Sequence, residues 1–333
     1  MSDDQSSCIV VGAGISGLLA ADRLQREGWS VTVLDKGRGV GGRMATRRVG
    51  EGTFDHGAQF FTVRGERFSS LVDGWLDAGA ATEWARGFAD AGGQPTEDGH
   101  PRYRGTDGMT SIPKHLAQGL DVRTGEKVLS VGIQDGRWEV ACESGSQAQG
   151  SALVLALPVP QALTLVSSGN YELPEENSRQ LGAVSYDPCL ALMVLLDEAG
   201  GVPDPGGMQI KGELLDWIGD NQRKGISRAP AVTIHAGPEW SRQHFEDDEA
   251  WITQHLISIA GDQLGTDLAP IVVESSLARW RYSWVTNSHP EPYLATSDAP
   301  PLLFCGDAFG QPKVEGAALS GLAAADHLLG HNA

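Results

Sequence analysis

Gly12, Gly14 and Gly17 form a G-x-G-x-x-G array directly after the apolar run Cys8–Val11 and directly before the amphipathic run Leu18–Gly28. Glycines at this spacing bind phosphate with the backbone rather than with side chains. The first permits a tight turn, the second lets the main chain approach a pyrophosphate, and the third lets helix and strand pack closely. Free N–H groups around Ile15 and Ser16, at the helix start, then face the anion. Asp35 ends the next apolar run, where a carboxylate accepts from ribose hydroxyls and repels a 2′-phosphate. The adenosine bound there is expected to be that of FAD or NAD. Immediately beyond, Lys36–Arg48 (KGRGVGGRMATRR) packs five basic residues and four glycines into thirteen positions. Amides at Gly41 and Gly42, with Arg43 and Lys36, form a local anion site that would neutralise a dianion.

These groups need elements to position them. Cys8–Gly37 reads as strand, glycine turn, helix and strand. Gly125–Gly145 reads as a meander of strands, followed by a buried strand in Ser151–Pro160. From Gln161 to Pro290, strand patterns recur at Leu190–Leu196, Ala231–His235 and Val272–Trp280, with a helix at Asp247–Leu264. Pro301–Gly330 reads as strand, loop and Ala-rich helix, and belongs with the first domain. The expectation is an α/β protein with a discontinuous Rossmann-like dinucleotide-binding domain (1–74, 103–160 and 291–333). An inserted α+β substrate domain on a mixed or antiparallel sheet takes 75–102 and 161–290.

Composition narrows the function classes. The 333 residues carry 43 acidic and 25 basic side chains, a net charge of −18 that argues against general nucleic-acid or anionic-membrane binding. The excess of glycine (43 residues) without a collagen-like period points to tight turns and close backbone approaches. The N-terminal MSDDQSS is acidic and unlike a signal peptide, and no unbroken apolar run approaches the ~20 residues that span a bilayer. Cys8, Cys142, Cys189 and Cys305 form no CxxC or metal spacing, which favours a reducing, cytoplasmic setting. His56, His100, His244 and His289 share no metal spacing either, so no metal is expected. Ser16 and Ser320 sit in turn contexts rather than in a nucleophile elbow. The sequence carries no signal of oligomeric state.

The element formed by Arg38, Val40, Gly41, Gly42 and Arg43, taken with the first glycine array, resembles the second fingerprint (R-x-G-G-R) of the flavin-containing amine oxidase superfamily. Within it, DKGRGVGGRMATR, FDHGAQFFTVR, HAGPEWSRQHFE and CGDAFGQPKVEGAALSGLAAADHLL resemble segments of the renalase family and span nearly the whole chain. The resemblance implies FAD rather than NAD, held non-covalently because no cysteine stands in an attachment motif. Gly12 to Gly17, Asp35, Lys36 and Gly41 to Arg43 would hold its dinucleotide part. His56, Gly57, Ala58, Gln59 and Phe60 would lie beside the flavin ring, with Val128 also at the cofactor. Asp307 would approach a ribityl or pyrophosphate oxygen. Val314, Glu315, Gly316 and Ala317 would cover the pyrimidine edge, with Ser320 behind them. A helix starting near Glu315 would direct its positive end at reduced flavin.

The resemblance also implies a reaction: oxidation of 2- or 6-dihydronicotinamide isomers of NAD(P)H to NAD(P)+ by hydride transfer to flavin, with dioxygen reduced to hydrogen peroxide. A dihydropyridine is driven to release hydride by its own ring nitrogen, so the protein has mainly to orient it and exclude water. His235, Gln59, Trp280 and Tyr282 are the candidates for the reacting face, with Trp217, Asn221, Lys224 and Arg279 near them in sequence patterns able to stack on a ring or hold a phosphate. No lysine stands in a motif matching the one many amine oxidases keep near the flavin; Lys224 and Lys313 are the candidates. Two other readings share the glycine motifs: a flavin oxidase acting on an amine or another small substrate, and a nucleotide-binding redox sensor without turnover.

Overall fold

The computed structural model describes residues 6–331. The chain opens with β1 (Ser7–Val11), α1 (Ile15–Arg26) and β2 (Ser30–Asp35), then the hairpin β3 (Thr46–Val49) and β4 (Gly52–Asp55). Helix α2 (Glu66–Asp77) leads to the long hairpin β5 (Ala81–Ala89) and β6 (Pro95–Gly105), then α3 (Ser111–Leu116) and β7 (Asp121–Thr124). The meander β8 (Val128–Gln134), β9 (Arg137–Cys142) and β10 (Gln147–Gly150) precedes β11 (Ala152–Leu155), α4 (Val159–Ser167) and α5 (Glu175–Gly182). Next come β12 (Ser185–Leu196), β13 (Gly207–Gln209), β14 (Leu215–Asp220), β15 (Ala231–Ala236), α6 (Pro238–Gln243), α7 (Glu249–Leu264) and β16 (Val272–Asn287). Strands β17 (Leu294–Ala295) and β18 (Leu302–Phe304) and helix α8 (Lys313–Leu328) close the fold.

Two sheets carry the architecture. A six-stranded sheet has the order β17-β18-β11-β1-β2-β7, parallel except at β17. Its central strands are apolar on both faces, as a parallel strand covered on two sides must be. Ile9, Val11, Leu153, Leu155 and Phe304 face the meander, with Val131, Trp138 and Val140. The alternate residues Cys8, Val10, Val154, Leu303 and Cys305 face α1 and α8. Those two helices touch backbone to backbone: a methyl at Gly321 would overlap the carbonyl of Ser16.

The second, larger sheet has the order β16-β12-β15-β14-β13-β5-β6, with all neighbours antiparallel except β13 and β5. Period-two alternation divides its faces. Leu190, Leu192, Val194, Ile218, Val232 and Ile234 pack under α7 against Ile252, Leu256 and Ala260. Thr233 and His235, on the other face of β15, turn toward the Asp55–Phe60 loop that follows β4.

The structure is thus α/β, with a Rossmann-like lobe and a second lobe on a mixed sheet. Several elements differ from the expected ones in extent. The strand expected at Val272–Trp280 runs on to Asn287, and that at Leu190–Leu196 begins at Ser185. Register shifts between Asp187 and Cys189 break the alternation by which the longer strands would have been recognised. Helix α2 continues past 75 and buries Trp75 beside Phe61 and Phe68.

Candidate active site

The cofactor-side residues gather at the C-terminal ends of β1, β2 and β18. Gly12 has φ +112°, and a methyl there would stand 2.5 Å from the carbonyl oxygen of Ala156. A methyl at Gly17 would overlap the Gly12 carbonyl. Both glycines are therefore demanded by the protein's own packing. Gly14 is different: its φ is −76°, and a methyl there would meet nothing within 4 Å. The chain leaves space at Gly14 that its own folding does not require. Gly42 lies close to the same turn: a methyl there would come 3.6 Å from Gly14 Cα. The Gly41 N–H donates to Ala13 O at 2.8 Å, which brings the two glycine segments together. An open backbone cleft at the N-terminus of α1, flanked by a second glycine loop, fits a dinucleotide pyrophosphate.

Neighbouring side chains are engaged as follows. Ile15 is buried, and the Ser16 hydroxyl contacts Cys305 Sγ at 3.2 Å. The Asp35 carboxylate accepts from Ala13 N at 2.7 Å and from Gly37 N at 2.6 Å, so it holds the loop that would surround a ribose. Lys36 is exposed. Arg43 forms a two-pronged ion pair with Asp307, 2.6 Å on each arm, and donates to Tyr282 O at 3.3 Å. Its charge is balanced within the protein, and it ties the glycine loop to β16 of the other lobe. Ala58 N donates to Arg43 O at 2.8 Å, and a methyl at Gly57 would overlap that carbonyl.

On the C-terminal side, Ser320 Oγ accepts from Gly306 N at 2.8 Å. Val314 and Ala317 are buried in the first turns of α8, and a methyl at Gly316 would overlap Gln311 O. Glu315 accepts from Arg64 N (3.0 Å) and Gly65 N (2.8 Å), and so holds the segment that leads into α2. Val128 starts β8 and packs in the core beneath the sheet.

Three of the four candidates for the reacting face come together. Gln59 Nε2 lies 3.5 Å from His235 Nε2. Trp280 Nε1 donates to His56 O at 2.8 Å, and its ring stacks on the His56 imidazole at 5.1 Å. Tyr282 lies within the register shift and packs edge-on against Tyr186 at 5.5 Å. Arg279 is turned away, bonded to the carbonyls of Phe245 and Asp247. Phe60, Trp84, Phe88 and Trp217 form an aromatic wall with ring centres 4.7–6.5 Å apart.

Burial decides the protonation states. His235 falls from an ordinary 6.5 to about 4, first because burial penalises its charge and then because of His56. His56 also falls to about 4, from burial and then from Arg47. Both rings are neutral at pH 7. Their neighbours Lys224 and Asp55 are paired at 2.6 Å, with side chains 1% and 0% exposed. Three buried polar atoms at this face have no partner: His56 Nδ1, Gln59 Oε1 and Trp217 Nε1. The last two lie 3.2 Å and 2.6 Å from the point where a methyl on Gly219 would sit.

Residues 89–329 match the family described as flavin containing amine oxidoreductase, and residues 10–75 match an NAD(P)-binding Rossmann-like domain. The chain belongs to the flavin containing amine oxidoreductase family. It is a renalase-like member, 29% identical to mouse (Mus musculus) renalase over 95% of this chain and 97% of that protein. A shorter likeness, 39% over 67 residues, links it to an L-amino acid dehydrogenase of Synechocystis, covering 20% of this chain and 14% of that one. A solved putrescine oxidase variant shares the fold, with a TM-score of 0.76 at 15% identity, covering 98% of this chain and 99% of that one. A putative protoporphyrinogen oxidase from Exiguobacterium superposes with a TM-score of 0.74 at 14% identity, covering 98% and 99%. The protein is an FAD-dependent oxidoreductase acting on a small molecule.

Asp55, Trp84, Phe88 and Thr233 were not singled out by sequence reasoning. For Asp55 a signal existed, since it stands inside FDHGAQFF beside residues assigned to the flavin. Among the described residues no group of three or more His, Cys, Asp or Glu is arranged to hold a metal. Among them, too, no helix is long and apolar enough to cross a membrane.

Proposed function

We propose that the protein oxidises 2- and 6-dihydronicotinamide isomers of NAD(P)H to NAD(P)+, with dioxygen as the final acceptor and hydrogen peroxide as the product. The observation that carries this reading is the neutral, aromatic character of the face turned toward the cofactor lobe. Trp217, Trp280 and Phe60 offer flat apolar surfaces, His56 and His235 are uncharged, and the buried Lys224 and Asp55 neutralise one another. Such a face suits a dihydropyridine, which gives up hydride without a base. FAD, when bound, supplies the hydride acceptor; the chain's own residues orient the ring and keep water out.

The unpartnered atoms support the same substrate class. Gln59 Nε2 is committed to Asp55 O (2.6 Å) and Gly57 O (3.2 Å), which leaves Oε1 as a free acceptor. Trp217 Nε1 is a free donor close by. An acceptor and a donor side by side match the N–H and C=O of a carboxamide. The full-length likeness to renalase favours this reading over amine oxidation. An amine would have to lose a proton first, and a histidine held near 4 is a weak base for that step. We further infer that FAD is non-covalent and the setting reducing, since all four cysteines are free and buried. Acid precipitation should release yellow flavin into the supernatant. Reduction of the bound flavin by the isomers, without oxygen, tests the activity; amines alone as reductants would overturn it.

A further inference from the structure

Asp55 and Lys224 come from different lobes. Asp55 ends β4, whereas Lys224 lies in the loop after β14, and the two meet fully buried at 2.6 Å. Lys224 Nζ also donates to the main-chain oxygen of Gln59 at 2.6 Å and lies 4.8 Å from the centre of a Trp84 ring. The second carboxylate oxygen of Asp55 accepts from Met109 N (2.8 Å) and Thr46 Oγ1 (2.5 Å). Its carbonyl accepts from Gln59 Nε2 (2.6 Å) and Thr233 Oγ1 (3.0 Å), and its N–H donates to Asn221 Oδ1 at 3.3 Å. Every polar atom of Asp55 is satisfied, by partners from both lobes.

A buried ion pair is weak evidence of stabilisation, because well-packed apolar residues often serve as well or better. Its use is better sought in the geometry it imposes. Here that geometry centres on Gln59, whose main-chain oxygen is held by Lys224 and whose amide is held by Asp55. The same residue faces His235, and the next one, Phe60, packs 5.6 Å from Trp217.

We infer that Lys224 is a positioning residue: paired with Asp55 across the lobe boundary, it fixes the Gln59–Phe60 segment against the large sheet and keeps the reacting face in register with the cofactor lobe. It acts through Gln59 and does not itself meet the substrate. The inference rests on Gln59 lying at the reacting face, as proposed above, and is independent of which dihydronicotinamide isomer is used.

The test compares FAD-loaded wild type, K224M and D55N/K224M. K224M strands a buried carboxylate and is expected to melt lower and hold flavin poorly. D55N/K224M removes both charges and should regain most of the melting temperature and flavin content. It should still reduce its flavin about tenfold or more slowly with 2- or 6-dihydroNAD, with KM changed less than kcat, because the Gln59 carbonyl has lost its donor. Hydrogen exchange of the amides at 56–61 should be faster in both variants. Wild-type reduction rates in the double variant would overturn the inference and leave Lys224 as a mere counter-charge; so would unchanged exchange at 56–61. A wild-type protein that no isomer reduces would overturn the proposed substrate instead, and the exchange measurement would still judge Lys224.

Discussion

Replacing Gly14 with alanine separates what the chain needs from what the cofactor needs. At Gly14 the backbone has φ −76° and a methyl meets no protein atom within 4 Å, so alanine fits the flavin-free protein. Gly14 is the N-cap of α1, where alanine is worse than glycine by about 0.5–1 kcal/mol. The stiffer unfolded chain returns about 0.4–1 kcal/mol, so the flavin-free stability should change by less than about 1 kcal/mol. The methyl would instead occupy the open space beside the N-terminus of α1, where the pyrophosphate is proposed to lie. Overpacking of that kind costs about 1–3 kcal/mol, a weakening of FAD binding by about five- to a hundred-and-fiftyfold. The assay is a circular-dichroism melt of the flavin-free protein together with FAD titration by quenching of flavin fluorescence. G17A is the contrast, since its methyl would overlap the Gly12 carbonyl and destabilise the protein with or without flavin. A G14A protein that binds FAD like wild type would refute the reasoning, as would one whose flavin-free form melts far below wild type.

Acid should weaken the fold through His56 and His235. Their folded pKa values of about 4 lie below the unfolded 6.5, so the unfolded chain takes up protons that the folded protein refuses. Stability is then full above pH 6.5 and falls as the pH drops toward 4, by up to about 3 kcal/mol per ring. Urea denaturation at pH 7 and pH 4.5 measures the loss, and H235Q should flatten the dependence; an equally steep profile in H235Q would contradict the assignment. D307A leaves Arg43 without its two-pronged partner and should cost about 1.5–3 kcal/mol in a urea titration. G321A drives a methyl into the Ser16 carbonyl where α1 meets α8, and should lower stability by about 1–3 kcal/mol in the same titration.

What could be read from the sequence was local. The strand–glycine–helix unit at Cys8–Arg26 announces itself because both flanks of the glycine array have the right periodicity, and the buried strand at Ala152–Leu155 shows as an unbroken apolar run. The fates of the charges were not legible. Arg43 reads as a cofactor cation from its place in a glycine loop, yet its partner Asp307 lies 264 residues away. Lys224 reads as a weak candidate because Asp55, 169 residues distant, becomes its partner only when the lobes meet. Likewise the backbone N–H groups of Arg64 and Gly65 that Glu315 accepts from lie 251 and 250 residues away. The long hairpin of β5 and β6 was obscured by its register shifts, which interrupt the alternation that marks a strand. The aromatic wall draws on β5, β14 and the loop after β4, so no single stretch displays it.

Anaerobic stopped-flow mixing of the FAD-loaded protein with 2- or 6-dihydroNAD, monitored by the flavin absorbance, tests the central claim most directly. The flavin should bleach rapidly, at a rate that saturates with substrate, and NAD+ should be recovered in equal amount. Admitting oxygen should then restore the colour and release one hydrogen peroxide per turnover. Flavin that stays oxidised with both isomers, yet bleaches with a primary amine, would contradict the account.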